Sequence, residues 1–244
     1  DMVLSATAFT LETDDADGSF ANNQVAGVDE ADFMKTDGRM LYTRQGSSLV
    51  VAQIYPPESA RILERLPVNG TIRALLIDPA YLAMISSEAN NVVIRTYGRT
   101  ASPLVLEREI SLNGTYAGAR AIGDHLFVVS NFVLYGNYGR VVYLGGVEGN
   151  ITLPVLTVDG EARALKPSDI GYLDSSQNAT NLLTLIKLNL SSAAAPLLTT
   201  LLADAGATMY VSASNLYLAG RAGPRLSSSA GEVTAIHKLP LRRG

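Results

Sequence analysis

The sequence predicts an all-β fold, a β-propeller of about four blades with four antiparallel strands each, partial rather than closed, with an excursion inserted in the third blade. Three observations carry this. Four segments begin with turn-forming or small residues and continue into an apolar strand: Asp37-Gly38-Arg39-Met40-Leu41-Tyr42, Pro79-Ala80-Tyr81-Leu82, Gly123-Asp124-His125-Leu126 and Ala213-Ser214-Asn215-Leu216. Their leucines, at 41, 82, 126 and 216, lie 41, 44 and 90 residues apart, and the last interval is close to two of the others combined. Finally, each is followed by further short runs rich in Val, Ile, Thr and Tyr, the spacing of four strands per unit of about 40–45 residues that propeller blades show.

The strands follow in order. After each leading strand come the apolar runs 49–55, 92–97, 182–188 and 233–239, and then a third set at 61–66, 104–110 and 197–202. The segments 71–77 and 208–212 lead into the next unit. A twisted sheet with two apolar faces must stack on others, which explains why Leu126-Phe127-Val128-Val129 is apolar at consecutive positions instead of alternating. Residues 191–202 form the best helix candidate because of their alanines, but Pro196 interrupts them, so turn followed by strand is expected. Residues 1–19 read as an N-terminal segment or linker and 20–244 as the partial propeller, with blades starting near 37, 80, 123 and 213 and an insertion at about 131–178.

Composition narrows the function classes. A hydrophobic fraction of 47% against 17% charged residues suits a large core and argues against disorder. The net charge of −4 argues against nucleic acid as a partner, because phosphate binding needs clustered Lys and Arg. With no cysteine, disulfides and thiolate metal sites are excluded. There is no apolar run of the roughly 20 residues needed for a transmembrane segment. The chain opens Asp1-Met2-Val3 without the basic start of a signal peptide, so a processed or truncated piece of a longer protein is expected.

Residues 24–38, Gln-Val-Ala-Gly-Val-Asp-Glu-Ala-Asp-Phe-Met-Lys-Thr-Asp-Gly, carry a resemblance. This stretch resembles the signature that opens the β-propeller domain of secreted bacterial and archaeal proteins distantly related to WD-40 repeats. Weaker echoes follow at 119–129, 209–219 and 234–239. Ala21 and Leu239 depart from the threonine and the aromatic residue that the family often has there. The chain itself has no tryptophan and so lacks the WD dipeptide. The resemblance implies a secreted, periplasmic or cell-surface location and a chain corresponding to the N-terminal part of the propeller. It implies no settled activity.

Two groups of residues invite a site. Asp29, Glu30, Asp32 and Asp37 are oxygen donors close in sequence and would suit a hard cation such as calcium. The plainer reading is that they organise turns at the start of the first blade, since Asp37-Gly38 is a standard turn pair, and no cofactor is assigned. An EF-hand starting at Thr13 fails because position 12 would be Gln24. The second group lies in the excursion, where residues 131–146 are rich in Tyr, Gly and Asn. Tyr135, Tyr138, Arg140 and Tyr143 are the ligand-binding candidates, because tyrosine offers rigid contact area with a polar tip. The alternative there is a hairpin turning at Gly136-Asn137.

Catalytic signatures are missing. His125 and His237 stand 112 residues apart and suit structural roles. No Gly-x-Ser-x-Gly elbow, Walker loop or Rossmann glycine pattern occurs, and no catalytic residue is assigned. The sequons at Asn69, Asn113, Asn150, Asn178 and Asn189 read as turn asparagines. The expected function is therefore a non-catalytic binding or scaffolding module of a secreted or cell-surface protein. Its partners would be a protein or glycan at the cell envelope, together with remaining propeller blades from the same or another chain. The alternative is an extracellular hydrolase, metal-assisted, with its site at the propeller mouth.

Overall fold

The computed structural model describes residues 28–99, 103–134, 151–171, 181–203, 206–212, 214–222 and 233–241. Among these the regular structure is β-strand, apart from two short 3₁₀ turns at Pro57–Ser59 and Pro167–Asp169. Four sheets form. The first holds β2 (Met34–Thr36), β3 (Met40–Gln45), β4 (Ser48–Gln53) and β5 (Arg61–Pro67), in that order. The second begins with β6 (Thr71–Ile77), β7 (Tyr81–Glu88), β8 (Asn91–Gly98) and β9 (Val105–Asn113). The third holds β10 (Thr115–Ile122), β11 (His125–Val133), β15 (Asn181–Asn189) and β16 (Leu197–Ala203), and the fourth β17 (Gly206–Val211), β18 (Asn215–Ala222) and β19 (Val233–Pro240).

The four leucines read from the sequence occupy equivalent places, each on the second strand of its sheet. The backbone repeats around them. The carbonyl two residues before each leucine, on Arg39, Ala80, Asp124 and Ser214, accepts a hydrogen bond of 2.7–2.8 Å from Ile54, Arg99, Leu190 and Leu241 just past the third strand. An extra residue also bulges from the first strand nine positions ahead of Leu82, Leu126 and Leu216, in the register shifts 72/74, 116/118 and 206/208. The segments 71–77 and 208–212, which lead into the next unit, are the first strands of the sheets that follow.

Side-chain alternation then stacks the sheets. Leu82 and Met84 face the first sheet, in a core with Tyr42, Leu49 and Val51, whereas Ala83 and Ile85 face the third. Leu126 and Val128 point back to the second sheet and Phe127 and Val129 forward to the fourth, where Leu216 and Leu218 meet them. Period-two geometry gives every interior sheet two apolar faces, so a run of consecutive apolar residues is what the stack requires. Successive first strands touch, β2 with β6, β6 with β10, and β10 with β17. At the last contact a Cβ on Gly118 would come within 2.9 Å of the Met209 side chain.

The same alternation leaves two outermost faces. On the fourth sheet Tyr210, Tyr217 and Ile236 share a face, and Ile236 is 68% exposed. On the first sheet Met34, Leu41 and Ile62 share one.

Additional strands depart from a pure four-strand repeat. The excursion leaves after Val133, since residues 131–133 extend β11, and it does not stay with its own sheet. Its hairpin, β12 (Val155–Val158) and β13 (Glu161–Ala164), joins the second sheet outside β9. Asp159-Gly160 makes the turn, with φ of 49° and 90°, the left-handed pair that a two-residue hairpin demands. The two-residue β14 (Ile170–Gly171) then pairs with β16, and this pair is parallel, against the wholly antiparallel expectation. Residues 191–196 form an irregular connection outside any strand and β16 follows, so Pro196 stands immediately before the strand.

Candidate functional site

The acidic segment and the excursion carry the two candidate sites. From residue 29 the chain runs along the first strands of three sheets in turn. β1 (Asp29–Glu30) pairs with β10 of the third sheet, Asp32 bridges to Leu75 on β6 of the second, and β2 pairs within the first. This segment belongs to the stretch that carries the resemblance, and the carboxylates of Asp29, Asp32 and Asp37 are engaged within the fold. Lys35, 5% exposed, donates from Nζ to Asp29 Oδ1 and to the Glu30 carbonyl, each at 2.6 Å. Asp29 Oδ2 is buried without a hydrogen-bond partner. Burial pushes the Asp29 carboxyl above its ordinary range, and Lys35 opposes that shift.

Asp37 has a different task. Its Oδ1 accepts from the amides of Arg39 and Met40 at 2.9 and 2.7 Å, closing the turn into β3. Its Oδ2 pairs with Arg99, whose guanidinium also reaches the Asp78 carbonyl and the Tyr42 hydroxyl, so one arginine fastens the first sheet to the second. Asp32 Oδ1 accepts from the Phe33 amide at 2.6 Å. Asp29, Glu30, Asp32 and Asp37 are thus distributed along the thread. Among the described residues no three His, Cys, Asp or Glu side chains gather as a cation would require. His125 lies 2.6 Å from its neighbour Asp124 and stacks near Phe127.

The excursion builds a cleft instead. Where the second and third sheets diverge at their outer strands, the β12–β13 hairpin and β16 enclose about 880 Å³, within the range of ligand sites. Leu156, Val158, Leu165 and Leu198 line it with apolar surface. Arg108 on β9 ties its two walls: Nη1 donates to the carbonyls of Ser192 and Ala194, at 3.2 and 2.8 Å, and Nε lies 3.5 Å from Asp159 Oδ2. Asp159 in turn exchanges bonds of 2.8 Å with the Glu109 backbone, pinning the hairpin turn to β9. Glu161 and Arg163 project from β13 on the same side as Val158 and Leu156, over the opening.

Tyr135, Tyr138, Arg140 and Tyr143 lie outside the described residues, as does the Gly136-Asn137 turn. Arg108, Asp159 and Arg163 were not singled out from the sequence. The Asp159-Gly160 dipeptide was the available signal for the hairpin. Nothing local marked Arg108, whose partners lie 84 and 86 residues away.

No helix among the described residues is long and apolar enough to cross a membrane. A search of curated proteins and a search of solved structures each found no match. The family model described as a beta propeller domain matches residues 19–244. With stacked antiparallel sheets that converge at their first strands, and a family match across nearly the whole sequence, the chain belongs to the beta propeller domain family.

Proposed function

We propose that this chain is a non-catalytic binding or scaffolding module of a secreted or cell-surface protein, and that it engages a protein or glycan partner at the cell envelope. The observation that carries the reading is the excursion. A segment interrupting one blade spends its strands on a neighbouring sheet and thereby makes a cleft with an apolar floor and charged rim. Irregular additions to a rigid scaffold are where binding residues concentrate. The test is to present the purified protein to a glycan array and a peptide library, alongside a hydrolase panel with and without chelator. Retention without turnover is the expected result. Turnover abolished by chelation overturns the reading in favour of a metal-assisted hydrolase.

The outermost faces supply a second kind of partner, further sheets from the same or another chain. Tyr217 and Ala219 occupy the positions that in β7 and β11 face the following sheet, and Leu41 occupies the position that faces the preceding one. In the native polypeptide, Ile236→Asp is expected to lower the thermal midpoint by about 4 °C or more, because a charge would be forced into an apolar contact. An unshifted midpoint means that water covers this face.

A further inference from the structure

We propose that the excursion's cleft takes an extended peptide segment, which adds as a strand to the outer edge of β13. The proposal rests on the binding reading above and names its ligand class.

Backbone pairing is the first argument. Among the described residues β13 pairs with β12 alone, and all four of its residues are exposed, the arrangement of an edge strand open to pairing. Across the cleft β14 covers only Thr200 and Leu201 of β16, which leaves the side of residues 197–199 without a neighbouring strand in the same set. Such edges recognise extended chains through main-chain hydrogen bonds, with alternate side chains entering pockets. A glycan or a compact small molecule would leave those groups without strand-like partners.

Side-chain placement supplies the specificity. Cross-strand register puts Glu161 and Arg163 on the face of β13 that Val158 and Leu156 share, the side of the cleft. An incoming strand would meet a carboxylate and a guanidinium two residues apart, so it should carry a cation and an anion at the same spacing. Four residues of strand measure roughly 13 Å, which fixes the recognised core at about four residues. The receptor is preorganised, because Arg108 and Asp159 hold both walls before anything binds.

The experiment uses the intact protein and a peptide library displayed in extended form. Selected peptides are expected to carry a basic and an acidic residue two positions apart. Each binder is then resynthesised with single N-methyl groups. Strand addition requires loss of affinity by about tenfold or more at alternate residues and little change between them, since only every second amide faces the edge. The charge swap Glu161→Arg with Arg163→Glu is expected to reverse the order of charges preferred, with the thermal midpoint unchanged. Peptides that bind without the alternating N-methyl pattern, or ignore the swap, overturn strand addition while leaving the binding module standing. If glycans alone are retained, the ligand class is wrong; if nothing is retained, the binding reading itself fails.

Discussion

Lys35→Ala is expected to lower the unfolding free energy by about 3–5 kcal/mol, the usual cost of leaving one member of a buried ion pair uncompensated. The ammonium is the counter-charge of Asp29, and Asp29 Oδ2 already lacks a hydrogen bond. The loss should depend on pH in a defined sense. Burial raises the folded pKa of Asp29 above its ordinary 3.8, so the ionised carboxylate is a cost present above the folded pKa and absent below the unfolded one. The deficit of the variant is therefore largest near neutral pH and narrows as acid neutralises Asp29. Urea titrations at pH 7 and near pH 4 measure both numbers. Asp29→Leu combined with Lys35→Met should recover much of the loss, because apolar replacement of a whole buried pair is often close to neutral. A single variant within about 1 kcal/mol of the parent contradicts the structural role given to this pair.

Leu126→Ala is the second large effect, with an expected loss of about 2–5 kcal/mol. Leu126 is fully buried between the second and third sheets, in a core with Ile85, Ile94 and Ile186. Removing it leaves a void that two stiff sheets cannot close. Val105→Ala is the control, because Val105 is 57% exposed and its truncation should cost within about 0.5 kcal/mol. Equal effects from the two would mean that the leucine repeat does not mark the inter-sheet core.

The repeat was legible because each unit encodes itself locally. A turn of Asp, Gly, Pro, Ser or Asn residues followed by a doubly apolar strand is written in adjacent residues, and Leu41, Leu82, Leu126 and Leu216 duly fall on equivalent strands. Sequence order was less informative wherever a strand leaves its own unit. Nothing around Val155–Val158 says that it pairs with β9 instead of β11, because that choice depends on which sheet edge lies within reach. The acidic segment shows the same limit. Asp29, Glu30, Asp32 and Asp37 are neighbours in sequence, but their carboxylates have separate partners, Asp29 with Lys35, Asp32 with the Phe33 amide and Asp37 with the turn into β3 and Arg99. Arg108 was invisible for a related reason, since a solvent-type residue at a strand position gains its meaning from partners distant in sequence, here Asp159 and the Ser192 and Ala194 carbonyls.

Arrays of stacked repeats ordinarily bind only to their neighbours, so they can melt from an end, one unit after another. The thread from Asp29 to Thr36 changes that behaviour. By fastening to the first, second and third sheets within eight residues, it links units that are not adjacent, and fraying of the first sheet loosens the edge of the third. Denaturation of these three sheets should therefore be one cooperative event, and severing the backbone near Ala31 should split it into several.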